Sequence, residues 1–184
     1  FQTEGSFAFS LLKKFEPHSI FDMSLVTAAI RPGGASYRDA LMDHIVHHNP
    51  SAVIDELLDE SLGYLVYQEQ VIAFLQDVCG LSGSTADSIR RGITKKNMDI
   101  LNQYLPVIID GYCERSGKSR DIAETEVIEF IRVIEDSSQY MFNKNHSIAY
   151  CLISYICAYL RYYHPGEFIA ALLRNAANMD DTSA

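Results

Sequence analysis

Apolar residues recur along this chain at the three- and four-residue spacing of helix faces, and almost no segment alternates as a half-buried strand would. The pattern predicts an all-α protein: one multi-helix globular domain over residues 1–184, with a buried central helix near 147–163. Ser19 and Asp22 make a capping pair that opens a helix running to about Ile30. Arg31-Pro32-Gly33-Gly34 ends it, because proline disfavours helix at the residue before it and glycine permits the turn. Further helices are predicted from about Tyr37 to His47, from Ser51 to Leu58 and from Tyr64 to Cys79. The last of these carries Val71, Ile72, Leu75 and Val78 on one stripe and stops at Gly80. Ser84 and Asp87 are expected to cap the next helix, and Met98 to about Glu114 follows with Pro106 bending it. An acidic helix then covers about Ile122 to Glu135.

Residues Ser147 to Tyr163 break the amphipathic pattern, being apolar or aromatic on every side. From Ser147 to Leu160 the run is too short for a bilayer, which takes roughly 20 residues, so it is expected to be a buried core helix and not a membrane span. His164-Pro165-Gly166 ends it, and Glu167 to Asn175 forms a last amphipathic helix. No internal repeat or linker interrupts the chain. The start at Phe1 and the polar tail from Asn178 to Ala184 are read as the ends of a piece cut from a longer protein, with 178–184 disordered.

The composition, 48% hydrophobic and 21% charged, is that of an ordinary soluble globular protein. A net charge of −9 argues against a protein that coats nucleic acid with its whole surface. Cys79, Cys113, Cys151 and Cys157 include no C-x-x-C pair and are read as buried free thiols of a reducing, cytoplasmic compartment. His47 and His48 point about 100° apart on a helix and make a poor pair for one metal, so no metal site is predicted.

Three constellations carry chemistry. Arg90, Arg91, Lys95 and Lys96 stand together with no acid between Ile89 and Lys96. On a helix, Ala86, Ile89 and Ile93 share one face, and Arg91 and Lys95 point nearly opposite. Guanidinium groups bond phosphate oxygens bidentately and lysines add point charge, although a solvated helix face is the plainer alternative. The second constellation is Phe142-Asn143-Lys144-Asn145-His146-Ser147. Asn145 or Asn143 is a candidate N-cap, and the amino end of the helix is a natural anion site that Lys144 and His146 would strengthen. A polar capping loop explains the same residues. The third is Tyr67-Gln68-Glu69-Gln70, where three consecutive polar residues wrap a helix turn. At least one must face inward or meet a partner, and structural bracing is its simpler role.

Read in order, FQTEGS (1–6), RPGG (31–34), SLGYLVYQEQ (61–70), ADSIRRGITKK (86–96) and YMFNKNHSIAYCLISYICAYLRYYHPGEFIAALL (140–173) resemble the C-family DNA polymerases, the alpha subunits of bacterial polymerase III. The resemblance implies the helical fingers region of a DNA-directed DNA polymerase acting in DNA replication, a nucleotidyltransferase. It implies that Arg90, Arg91 and Lys95 contact the incoming deoxynucleoside triphosphate with Lys96 nearby, and that Lys144 and His146 close the site. Asn143, Ser147 and Tyr150 would lie near the nascent base pair. The implied partners are primer–template DNA, the palm domain of the same polymerase and other replisome subunits, with no membrane. Catalysis by that family requires Mg2+ held by palm aspartates. No such aspartate motif occurs in this chain, Asp180-Asp181 being no substitute, so the isolated chain is expected to be inactive. The rival reading is a helical interaction module that docks an acidic partner through its cationic helix. A nucleotide site requires that helix and the start of the Ser147 helix to share one cleft.

Overall fold

Ten α-helices in chain order account for nearly all the regular structure of the computed structural model, which describes residues 3, 5–31, 34–137 and 141–176 (Met98 and Ala176 by backbone alone). Phe1, Gln2, Glu4, Pro32, Gly33, Tyr140 and the 178–184 tail with Asp180-Asp181 lie outside those residues. No strand occurs among the described residues, only a parallel bridge between Tyr67 and Phe142. The all-α expectation holds. No helix there is long and apolar enough to cross a membrane.

The first element, α1 (Ser6–Phe15), lies ahead of any helix predicted from sequence; it buries Ala8, Leu11 and Phe15 on one face. Helix α2 (Ile20–Ala29) starts where the capping pair requires, with the Ser19 hydroxyl accepting from Asp22 N at 3.1 Å. Helix α3 (Arg38–Met42) is one turn and a half, much shorter than the periodicity suggested. Arg38 is committed to closing α2, donating to the carbonyls of Ala29, Ile30 and Arg31. Helix α4 (Ala52–Leu57) is capped by Ser51 as expected.

The predicted Tyr64–Cys79 helix begins only at Gln68. Residues 64–67 run extended, because Leu65 enters one core while Val66 and Tyr67 enter another, and a helix turn cannot serve both. Helix α5 (Gln68–Ala73) continues into a π-helical turn at Phe74–Val78. Gln70 holds the junction: its Oε1 accepts from Val66 N and Tyr67 N, both at 2.9 Å, and its Nε2 donates to Ser61 Oγ. Helix α6 (Gly83–Thr94) is capped by Ser82, not by the Ser84–Asp87 pair. Asp87 faces the arginines instead. Helices α7 (Met98–Ser116) and α8 (Arg120–Ser137) form a hairpin about Gly117, whose φ of 66° closes the turn. Pro106 sits inside α7 without ending it.

The larger core gathers Ile54, Leu58, Phe74, Ile89, Ile108, Tyr112 and Phe130 from α4 to α8. The smaller one gathers Phe15, Leu25, Val26, Leu41, Met42, Tyr67 and Phe142. The extended 64–67 segment passes between them.

One prediction fails outright. Helix α9 (Lys144–Tyr163) is not the buried centre of the core: only Ser147 and Cys151 are buried. It packs along α2, and α10 (Pro165–Ala176) folds back on it, but Leu152, Ile153, Tyr155, Ile156 and Tyr159 are all exposed. Apolarity on every side states what a helix seeks to bury against, and the described residues leave one side of it uncovered. Cys113 and Cys157 are likewise half-buried; Cys79 and Cys151 are the buried thiols.

Candidate nucleotide-binding wall

Apolar anchorage fixes α6: Ala86, Ile89, Gly92 and Ile93 are buried, so Arg91 and Lys95 face solvent as their spacing predicts. Arg90 lies at the edge, its side chain only 17% exposed, with Nε and Nη2 on Asp87 Oδ1 and Nη1 at 3.3 Å from Gln68 Oε1. Arg91 is 67% exposed and meets Asp87 Oδ2 at 2.6 Å. Lys95 and Lys96 follow past the last helical turn, Lys96 in a left-handed conformation, both exposed. Hydrogen bonds from Arg90, reinforced by Arg91, hold the Asp87 carboxyl below the usual carboxylate range. The cluster therefore carries a counter-charge one turn upstream, at the three- and four-residue offsets where a helix always pairs side chains.

At the start of α9, Asn143 is the N-cap, its Oδ1 accepting from His146 N at 2.8 Å. The remaining expectation for that helix end needs correction. Its first backbone donor is already met from within the fold, Glu69 Oε2 accepting from Lys144 N at 3.0 Å while Glu69 Oε1 accepts from Asn143 Nδ2 at 2.7 Å. An incoming anion would thus meet a carboxylate there. Lys144 Nζ reaches Glu60 Oε2 at 2.5 Å and lines a groove of about 310 Å³ with Phe21, Leu25, Glu60 and Tyr67. His146 is exposed, its ring 4.4 Å from Tyr150 and 5.6 Å from Phe142. Ser147 is withdrawn from that surface: it is fully buried and its hydroxyl donates to the Ser24 carbonyl.

Both cationic elements are tied to one turn of α5. Arg90 of α6 bonds Gln68, and Asn143 and Lys144 of α9 bond Glu69, consecutive residues in the first turn of α5. The Gln68 N–H also donates to the Phe142 carbonyl at 3.0 Å, and Phe142 N donates to Val66 O. The polar run flagged in the sequence is thus the tie between both sites, Gln68 and Glu69 outward and Gln70 inward.

Three participants had no signal of their own in the sequence. Glu60 lies far from Lys144 along the chain, and Glu69 was marked only as one of a polar trio. Arg31, read as a helix end, lies with its guanidinium carbon 4.3 Å over the Phe142 ring, which puts a further cation beside His146. Asp87, expected as the capping partner of Ser84, pairs with Arg90 and Arg91 instead. Among the described residues no three His, Cys, Asp or Glu side chains converge as metal ligands.

This geometry defines a class: an all-helical domain whose cationic helix and aromatic-flanked helix end are tied to a single turn of a third helix. Residues 1–116 match the family model described as the bacterial DNA polymerase III alpha subunit finger domain, and the chain belongs to that family. The DNA polymerase III subunit alpha of Aquifex aeolicus is 34% identical over 97% of this chain and 15% of its own length. That of Campylobacter jejuni is 33% identical over 100% of the chain and 15% of its length. That of Ureaplasma parvum is 31% identical over 98% and 19% respectively. The chain thus spans less than a fifth of these relatives' length, and the likeness continues past residue 116 through α8, α9 and α10.

Proposed function

We propose that this chain is the fingers region of a bacterial-type DNA-directed DNA polymerase and that it binds the triphosphate of the incoming deoxynucleotide. The observation that carries the reading is the junction at Gln68 and Glu69, which brings the α6 cations and the α9 amino end to one turn. An acidic-partner module needs no such tie, which favours the nucleotide reading over it.

Within this reading the cations divide their work. Arg91, Lys95 and Lys96 are exposed and meet phosphate oxygens. Arg91 leaves Asp87 to do so at little cost, since an exposed ion pair is screened by solvent and contributes little. Arg90, held at three points, is a fixed charge behind them. Lys144 and His146 approach from α9, with Lys144 exchanging Glu60 for a phosphate. Tyr150 and His146 offer ring faces to the nascent base pair, while Asn143 is committed to the helix end. A wall of this kind orients the triphosphate and offsets charge that grows on the leaving pyrophosphate.

The polymerase as a whole would supply the rest. In this reading Mg2+, primer–template DNA, the palm carboxylates and other replisome subunits belong to it, with the cytoplasm as its compartment. Among the described residues no ligand set for the metal occurs, so its ligands would come from the palm.

The test is Arg91→Ala in the full-length polymerase containing these residues. Loss of a charge-assisted bond worth about 1.5–3 kcal/mol predicts a roughly 10- to 100-fold fall in kcat/KM for nucleotide, with primer–template affinity unchanged. Unaltered nucleotide kinetics in steady-state incorporation assays would overturn the assignment.

A further inference from the structure

We infer that Glu69 is a positioning residue of the nucleotide wall, setting the separation between the amino end of α9 and the cationic face of α6. The inference rests on the function proposed above. Glu69 touches neither phosphate nor base; it acts through Asn143, Lys144 and, by way of its neighbour Gln68, Arg90.

The carboxylate is doubly engaged. One oxygen accepts from the side-chain amide of Asn143, the other from the backbone of Lys144, at 2.7 and 3.0 Å. These two residues are the cap and the first helical residue of α9, so the bonds grip the helix at its origin and add a negative charge where the helix dipole favours one. Glu69 itself cannot drift. Gln68 is bonded to Arg90 on one side and to the Phe142 carbonyl on the other. Gln70 is buried and fixes the entry to the turn through three hydrogen bonds. A single peptide step therefore separates the tie to α6 from the tie to α9, and a trans peptide spans about 3.8 Å between Cα atoms.

The chemistry of the contact ranks the substitutions. Asn143 cannot turn its amide to suit a changed partner, because its Oδ1 holds His146 N. Glutamine at position 69 offers one accepting oxygen and would aim its NH2 at the other donor. Glu69→Gln thus keeps one bond, and Glu69→Ala keeps none.

The experiment uses the full-length polymerase, with nucleotide incorporation kinetics and amide hydrogen exchange measured on the same variants. Glu69→Ala is expected to raise KM for nucleotide about tenfold, the equivalent of about one lost charge-assisted bond, with primer–template affinity unchanged. Glu69→Gln should fall between it and the native protein. In an Asn143→Ala background the Glu69→Ala step should shrink, because one of the two contacts is already gone. Exchange at the first turn of α9 should accelerate about tenfold in Glu69→Ala whatever the ligand. Arg91→Ala, run in parallel, separates the two ideas. If Arg91→Ala raises KM while Glu69→Ala lowers only thermal stability, the positioning role is wrong and the nucleotide site stands. If Arg91→Ala is silent, the nucleotide reading falls and this inference with it. Unchanged exchange at α9 in Glu69→Ala overturns the tie itself.

Discussion

At the scale of single residues, burial governs the behaviour of the ionisable side chains in the cores. The Cys79 thiol, 3% exposed in the larger core, is pushed up from 9.0 to about 12 by desolvation alone. Burial moves the Tyr37 hydroxyl to about 12 as well, against a smaller opposing pull from Arg38, and shifts Tyr67 and Tyr112 upward. Each of these groups stays neutral when folded at a pH where the unfolded chain already ionises. Their contribution to stability is complete below the unfolded value and is lost as pH rises from 9.0 towards 12. The denaturation midpoint should therefore fall steadily above pH 9.0, and Cys79→Ala should flatten that decline. Cys79 should also resist iodoacetamide at neutral pH while half-buried Cys113 and Cys157 react. Equal alkylation of all the thiols in the folded protein would contradict the burial assigned to Cys79.

At the scale of elements, the contact of α7 with the π-helical turn depends on one missing side chain. A Cβ on Gly111 would stand 2.1 Å from the Cys79 carbonyl oxygen and 2.6 Å from its carbon, both backbone atoms that cannot swing aside. Gly111→Ala is expected to cost about 2–4 kcal/mol, although alanine normally favours a helix interior over glycine. That corresponds to a fall of roughly 5–15 °C in Tm, readable by calorimetry. A stabilised variant would show that the two backbones are not in this contact. Gly63 has a related role with a second reason, since its φ of 83° is left-handed and its Cβ would stand 1.9 Å from the His47 carbonyl oxygen.

At the scale of the whole molecule, the outer side of α9 and α10 is the outstanding feature. Ile156, Tyr159, Tyr162, Tyr163, Leu172 and Leu173 are all exposed along two packed helices. A continuous apolar surface of this kind seeks a partner. With relatives five- to sevenfold longer than this chain, the occupant we propose is another region of the same polymerase. The isolated chain should then bind a hydrophobic dye and self-associate with rising concentration in sedimentation velocity. Ile156→Glu with Leu173→Glu should return it to a monomer. A wild-type chain that stays monomeric and silent to the dye would show that this face needs no cover.

Legibility in the sequence followed the range of the interactions. Caps and breaks at Ser19, Ser51 and Gly80, the anchored face of α6 and the inward turn of one residue of the Gln68 to Gln70 run all arise from residues close in the chain, so spacing revealed them. Contacts across the chain did not show: Glu69 on Lys144, Glu60 on Lys144 and Arg31 over Phe142 join positions whose proximity exists only after packing. The extended 64–67 segment escaped for the same reason, since a helical period there yields to two separate cores. Apolar content alone determined that α9 must be covered. That the described residues leave one side of it exposed was decided by tertiary structure, because periodicity records a helix's demand for neighbours and not their supply.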